Sequence, residues 1–190
     1  MIEALAVPPT SNAAPAEEEA LISAARGGDR AAFGHLHDRY ARMIHGIALA
    51  YLPHADAQDL VQDVFVAALE RIASLKATAA FGGWLAAITR NRAMDLIRQR
   101  RIAVQLPPQI AATDRQHAAA LNALEAIRRL PEAYRETLIL RLVEGLTGPE
   151  IAQQTGLTPG SVRVNLHRGM KLLREELERG APCQPMGNPK

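Results

Sequence analysis

The sequence predicts an all-α protein made of two small helical domains joined by a flexible linker. Three observations carry this. Apolar residues recur at helical spacing through most of the 190 residues. Aromatic residues are only 4% of a chain that is 48% hydrophobic, and alanine is abundant, which suits Ala/Leu-packed helices better than a β-sandwich. Between two sets of amphipathic segments stands Pro107-Pro108, in a stretch poor in charge. A tandem proline cannot continue a helix and favours extended backbone.

Taken in order, residues 1–19 (MIEALAVPPTSNAAPAEEE) lack a sustained apolar period and are expected to be a disordered tail. A first helix is expected from Ala20 to Arg26, ended by Gly27 in a left-handed conformation, with Asp29 capping the next. The second helix, 30–52, carries Phe33, Leu36, Tyr40, Ile44, Ile47, Ala48 and Tyr51 at helical spacing and is stopped by Pro53. The third, 55–74, shows one apolar stripe of Leu60, Val61, Val64, Phe65, Ala68, Leu69 and Ile72, with Asp59 and Asp63 on another face. After a short connection, the fourth helix, 81–101, takes apolar contacts from Phe81, Trp84, Leu85, Ile88, Met94, Leu96 and Ile97. Residues 20–101 then form the first domain, 102–116 the linker, 117–179 the second domain and 180–190 a disordered tail. Each domain is small enough to bury only about 60% of its unfolded surface.

In the second domain, helices are expected at 117–130 and 131–144, with Pro131 in the first turn and Gly145 as the stop. Thr147 and Glu150 form a capping-box pattern for a short helix, 148–155. Gly156 supplies a tight turn, and Thr158 with Pro159 opens a last helix to about Arg179. A short helix, a glycine turn and a long helix fit a helix-turn-helix, with Ile151, Ala152, Leu157, Val162 and Leu166 closing its core. A plain helical hairpin would fit the same spacing. It would not account for Arg163, Asn165, His167 and Arg168 on the exposed start of the last helix, where such groups reach phosphates and base edges of a major groove.

Net charge is only +2, but its distribution is uneven. Arg90, Arg92, Arg98, Arg100 and Arg101 stand against Asp95 alone, and Arg163, Arg168, Lys171 and Arg174 have no acid among them. Two basic segments suggest two contacts with a polyanion; two solvated helix faces are the plainer alternative. The single cysteine, Cys183, excludes a disulfide framework and a cysteine-based zinc site. His35 and His37 point to different helix faces, and His45 and His54 have no obvious partners, so no metal site is expected. No apolar run reaches the roughly 18 residues of a membrane span. The acidic start is unlike a signal peptide, so a cytoplasmic protein is expected. No phosphate loop or Ser-His-Asp order is present, so neither a cofactor nor an enzymatic activity is expected.

Leu130–Leu177 (LPEAYRETLILRLVEGLTGPEIAQQTGLTPGSVRVNLHRGMKLLREEL) resembles region 4 of bacterial sigma-70-family sigma factors of the extracytoplasmic-function (ECF) group. Asp56–Phe65 (DAQDLVQDVF) resembles region 2.2, and Phe81–Arg101 (FGGWLAAITRNRAMDLIRQRR) resembles regions 2.3 and 2.4. The two modules stand in the family's order, and the resemblance covers about residues 20–178. It implies a factor that binds core RNA polymerase, recognises the minus-35 and minus-10 promoter elements and helps open the DNA. Its implied partners are the β′ clamp coiled coil and β subunit of the polymerase, promoter DNA and an anti-sigma factor.

Carried over residue by residue, the resemblance places Asp59, Gln62 and Asp63 at the coiled coil, with aspartate at 63 where the family more often has glutamate. It places Lys76 and Asn91 at a pocket for an exposed minus-10 base, with Arg90, Arg92, Arg98, Arg100 and Arg101 on the backbone. Trp84 reads as a core residue or a stacking platform. Arg163, Val164, Asn165, His167, Arg168 and Lys171 fall at the minus-35 reader. Val164 stands where a small polar residue is commonest, and Asn165 where arginine is. Val164 suits a thymine methyl and Asn165 an adenine. A sigma-like decoy that sequesters an anti-sigma factor, or a helix-turn-helix regulator, are the alternatives. The first would not need DNA-facing arginines in both modules, and the second leaves the first module unexplained.

Overall fold

The computed structural model describes residues 15–103 and 115–180, and among these every regular element is helical. The tails up to residue 14 and from 181 on lie outside the described residues, as does most of the expected linker, Pro107-Pro108 included. Four helices precede the break and four follow it: α1 (Pro15–Arg26), α2 (Arg30–Leu49), α3 (His54–Arg71), α4 (Phe81–Ala103), α5 (Arg115–Arg129), α6 (Glu132–Leu142), α7 (Gly148–Thr155) and α8 (Pro159–Gly180).

Helix α1 begins five residues before the expected Ala20, so Pro15–Glu19 belong to the fold and not to the tail. Carboxylates in a first turn complement the partial positive charge of a helix start. Here they are also anchored: Glu18 pairs with Arg39 at 2.8 Å and accepts from the Tyr40 hydroxyl, and Thr78 donates to Glu19 at 3.1 Å. The left-handed residue after α1 is Gly28 (φ +95°) and not Gly27. Asp29 caps α2 as expected, accepting from the amides of Ala31 (2.8 Å) and Ala32 (3.1 Å).

Helix α2 is the axis of the molecule. Leu36, Tyr40, Met43, Ile44, Ile47 and Ala48 are buried on it, and it touches α1, α3 and α4 on one side and α6 and α7 on the other. Each such large apolar side chain contributes about 1.5–3 kcal/mol on burial. That exceeds the ~0.5–1 kcal/mol propensity cost of an isoleucine, tyrosine or glycine in a helix, so packing decides the element. The Tyr40 and Phe81 rings meet edge to face at 5.3 Å, joining α2 to the start of α4. Leu60, Val64, Phe65 and Ala68 face this core from α3. Leu69 and Met94, expected in apolar contacts, are instead exposed, at 51% and 46%. Each sits at the edge of its stripe, rotated past the line of buried residues on its helix. Trp84 is half-buried against the core, 5.8 Å from Phe81.

In the second half, Pro131 stands just before α6 and not within its first turn. The α7 capping box forms. The Glu150 amide donates to the Thr147 hydroxyl oxygen at 3.4 Å, and the Thr147 amide donates to the Glu150 carboxylate at 2.7 Å. Hydrogen bonds from the Thr147 hydroxyl and amide hold the Glu150 carboxyl below the usual carboxylate range. Gly156 takes φ +75° at the turn, and Thr158 accepts from the Ser161 amide at 3.1 Å to open α8. Ile151, Ala152 and Val162 close the small core. Leu157, expected among them, is 36% exposed and lines a cavity with Arg90, Glu136 and Asn165 instead. The apolar interior continues from one half into the other, through α2, α4, α6 and α7.

Replacing Thr147 by Ala should lower stability by about 1 kcal/mol near neutral pH, as loss of a helix cap does. Denaturant unfolding followed by circular dichroism measures it. Glu150 titrates lower folded than unfolded, so its contribution is complete above the unfolded value and fades as pH falls through the folded one. The gap between Thr147→Ala and wild type should therefore narrow in acid.

Candidate nucleic-acid interface

Helix α8 is built with two faces. Val162, Gly169 and Leu173 are buried, with Leu166 and Leu172 half-buried beside them. About half a turn away, Arg163, Val164, His167, Arg168 and Lys171 are all exposed. Their i, i+1, i+4, i+5, i+8 spacing makes one continuous stripe. The ion pairs recorded on α8 lie at its far end, where Glu176 meets Arg179 (2.7 Å) and Arg129 (3.6 Å). Among the described residues, Arg163, Arg168 and Lys171 have no carboxylate partner within ion-pair distance. A helix about 10–12 Å across, presenting unpaired cations beside an exposed valine, matches a major groove about 12 Å wide. Asn165 lies off this stripe, half-buried, where it lines a cavity with Leu157, Glu136 and Arg90.

The candidate residues of α4 divide between two surfaces. Asn91 and Arg92 line a groove with Asp63, Arg71, Asp95 and Gln99, so one of the three residues expected at the polymerase contact shares a wall with two expected at the minus-10 element. Asp59 and Gln62 are exposed on the same helix as Asp63. Lys76 is exposed in the connection before α4. Arg98 pairs with Asp95 at 3.0 Å and Arg100 with Asp56 at 2.5 Å. Both are surface pairs of the kind worth little in water, and phosphates can displace the carboxylates. The side chain of Arg101 lies outside the described set.

Arg90 is different. Its Nε and Nη2 donate to the two oxygens of Glu136 on α6, both at 2.7 Å. The same carboxylate lies 2.9 Å from the Tyr51 hydroxyl, which also sits 2.8 Å from Glu132. Hydrogen bonding to Glu136 raises the Arg90 pKa, while burial and the two glutamates push the Tyr51 hydroxyl far above its ordinary value, so Tyr51 stays a neutral donor. His45, expected to lack a partner, donates from Nδ1 to Glu144 at 2.7 Å. Sequence reasoning missed Tyr51, Glu132, Glu136 and Glu144 as a group. Its one available signal was Glu136, a carboxylate on the buried stripe that also holds Ile139 and Leu140.

Two families of sequence describe these halves. Sigma-70 region 2 matches residues 36–102, and Sigma-70, region 4 matches residues 120–173. The chain is 30% identical over 161 residues to RNA polymerase sigma factor CarQ of Myxococcus xanthus, covering 80% of this chain and 92% of that one. It is 28% identical over 176 residues to ECF RNA polymerase sigma factor SigW of Bacillus subtilis, covering 82% and 94%. The solved structure of CnrH, in complex with the cytosolic domain of CnrY, superposes with a TM-score of 0.60 at 27% identity, over 86% of this chain and 99% of that one. The fold and its exposed cationic helix are thus those of a DNA-binding transcription initiation factor. The chain belongs to the sigma-70 family of RNA polymerase sigma factors, in the ECF group. As such it binds core RNA polymerase and promoter DNA and directs transcription initiation. No described helix is long and apolar enough to cross a membrane.

Glu136→Ala should cost about 2 kcal/mol in unfolding free energy. Loss of a partner from a fully buried pair costs ~3–5 kcal/mol and from an exposed pair ~0–1. Arg90 retains 32% exposure of its side chain, which puts this pair between the two. Denaturant titration of the full chain reads the difference, and Glu136→Gln, which keeps one acceptor, should lose less.

Proposed function

We propose that the first half, residues 20–101, docks this sigma factor on the polymerase and reads the minus-10 element, while the second, residues 117–179, reads the minus-35 element through α8. The unpaired stripe of Arg163, Val164, His167, Arg168 and Lys171 carries this reading, with Asn165 half-buried off its edge. Arginine forks match guanine O6 and N7, a valine methyl suits the thymine methyl, and an asparagine amide matches adenine N6 and N7. On α4, Arg92, Arg98, Arg100 and Arg101 neutralise phosphates. Lys76 and Asn91 border the space for a base that has left the stack. Unstacking costs a few kcal/mol, so opening needs both the pocket and the neutralised backbone.

Asp59, Gln62 and Asp63 form an acidic, exposed surface suited to an arginine-bearing coiled coil, here assigned to the clamp of β′, with the β subunit as a further contact. CnrH was solved with the cytosolic domain of CnrY, which supports a protein partner for this chain also, assigned as an anti-sigma factor. The site of action is the cytoplasm.

Run-off transcription with purified core polymerase on genomic promoter fragments tests the reading: the chain should confer start sites that core alone does not use. Arg163→Ala and Arg168→Ala should each lose about 1–3 kcal/mol at one minus-35 position and relax specificity there. A uniform loss on every minus-35 variant would make them phosphate clamps. Asp63→Arg should weaken binding to core in a competition assay, since like charges at a docked surface cost several kcal/mol, while circular dichroism stays unchanged within about 0.5 kcal/mol of stability.

A further inference from the structure

We propose that α1 is a positioning element of the minus-10 reader: Glu18 and Glu19 hold the connection between α3 and α4, and with it Lys76, in the place from which it meets DNA. The tie itself is internal to the chain. Its consequence for promoter choice rests on the minus-10 reading of Lys76 and α4 proposed above.

Helix α1 precedes residues 36–102, the stretch that matches Sigma-70 region 2, and carries none of the residues assigned to polymerase or DNA. Its inner face is built for one place. Glu18, Ile22 and Ala25 stand at i, i+4 and i+7 and so share a face. Ile22 and Ala25 are buried, and they carry the Glu18 carboxylate inward, to a side-chain exposure of 14%. A carboxylate that has lost most of its water needs charge and hydrogen bonds in return. Arg39 supplies the charge at 2.8 Å, and the Tyr40 hydroxyl donates to the other oxygen. Burial and the neighbouring Glu18 push the Tyr40 hydroxyl far above its ordinary value, so it remains a donor.

Tyr40 passes this placement on. Its ring meets Phe81 at 5.3 Å, and a Cβ on Gly82 would lie 3.1 Å from its Cε1. Phe81 and Gly82 are the first two residues of α4. Glu18 therefore fixes, through one buried tyrosine, the point where the connection ends. Glu19 fixes the connection itself, since its carboxylate accepts from the Thr78 hydroxyl at 3.1 Å.

The connection has little else to hold it. Thr78 opens one 3-10 turn, Thr78–Ala80, and another, Ile72–Ser74, follows α3; α1 packs on both. Between the turns Leu75 is buried and Lys76 exposed. The backbone bonds are few: Leu75 donates to Ile72 and Ala80 to Ala77, both at 3.1 Å, and Phe81 donates to Thr78. A segment with so few bonds of its own takes its position from what it leans on. The two ties also differ in cost. The Glu18 pair is nearly buried and serves the whole fold, whereas the Glu19–Thr78 bond is exposed, and such a bond adds little to global stability. Its loss is felt at the connection.

Hydrogen exchange at the Ala80 and Phe81 amides of the full chain, paired with transcription by holoenzyme on panels of minus-10 and minus-35 variants, tests this. The substitutions are Glu19→Ala, Glu19→Gln and Thr78→Val. Glu17→Ala, at an exposed acid in the same turn of α1, controls for simple loss of negative charge. Glu19→Ala and Thr78→Val should each speed exchange at both amides about fivefold, as loss of one charge-assisted hydrogen bond does, with the unfolding midpoint unchanged. The double variant should go no further than either single one. Glu19→Gln, which keeps an acceptor, should stay near wild type, as should Glu17→Ala. Discrimination among minus-10 variants should fall several-fold in Glu19→Ala, with discrimination at minus-35 unchanged. Wild-type exchange in Glu19→Ala, or a loss spread equally over both promoter elements, would overturn the proposal. So would a Lys76→Ala chain that loses minus-10 discrimination beside a Glu19→Ala chain that keeps it. If exchange quickens but neither substitution alters minus-10 discrimination, the tie stands and the minus-10 assignment of Lys76 fails.

Discussion

The hydrogen bonds of Glu136 to Arg90 and Tyr51 are the joint on which this arrangement turns. One carboxylate on α6 receives both forks of an arginine on α4 and faces a tyrosine just past the end of α2. Its position makes each partner necessary. A glutamate on the apolar stripe of α6 is stable there only if charge and hydrogen bonds compensate its loss of water. Arg90 supplies the charge, and Tyr51, held protonated by its surroundings, supplies a neutral donor. The joint thus fixes α6 against α2 and α4, and through α6 it sets where α7 and α8 stand.

The exposed cationic surfaces depend on residues left out of such pairings. On α8, packing uses Val162, Gly169 and Leu173, so the opposite stripe is free of structural duty and its cations point into solvent. On α4 the division is less clean. Arg98 and Arg100 have carboxylate neighbours that screen them until a stronger anion arrives, whereas Arg90 is committed to Glu136. A sigma factor needs both kinds of surface, because long-range attraction brings it to DNA and only a few side chains discriminate sequence.

Much of this was legible in the sequence because it depends on short-range rules. The Thr147–Glu150 box, the Asp29 and Thr158 caps, and Gly156 at positive φ each follow from a few adjacent residues, and the α8 stripe follows from helical period alone. What was not legible involves distant partners. Helix α1 was placed five residues late because Glu18 and Glu19 look like a solvated tail until Arg39, Tyr40 and Thr78 are brought to them by the fold. His45 looked solitary because Glu144 lies 99 residues away. Gly46 and Gly82 drew no reading from the sequence, because the groups that leave no room for a side chain there lie on α7 and at the end of α6 and just beyond it. Arg90 sat correctly in a basic cluster, but no periodicity could show that it faces Glu136.

We propose that one chain reads two separated promoter elements with α4 and α8. Site-specific photocrosslinking reads this most directly. A photoreactive residue is placed at position 91 or at position 167, one at a time, in holoenzyme bound to a promoter. The account predicts crosslinks from position 91 at the minus-10 element and from position 167 at the minus-35 element, about 25 base pairs, or ~85 Å, away. Crosslinks from both positions within the same few base pairs, or none from position 167, would contradict it.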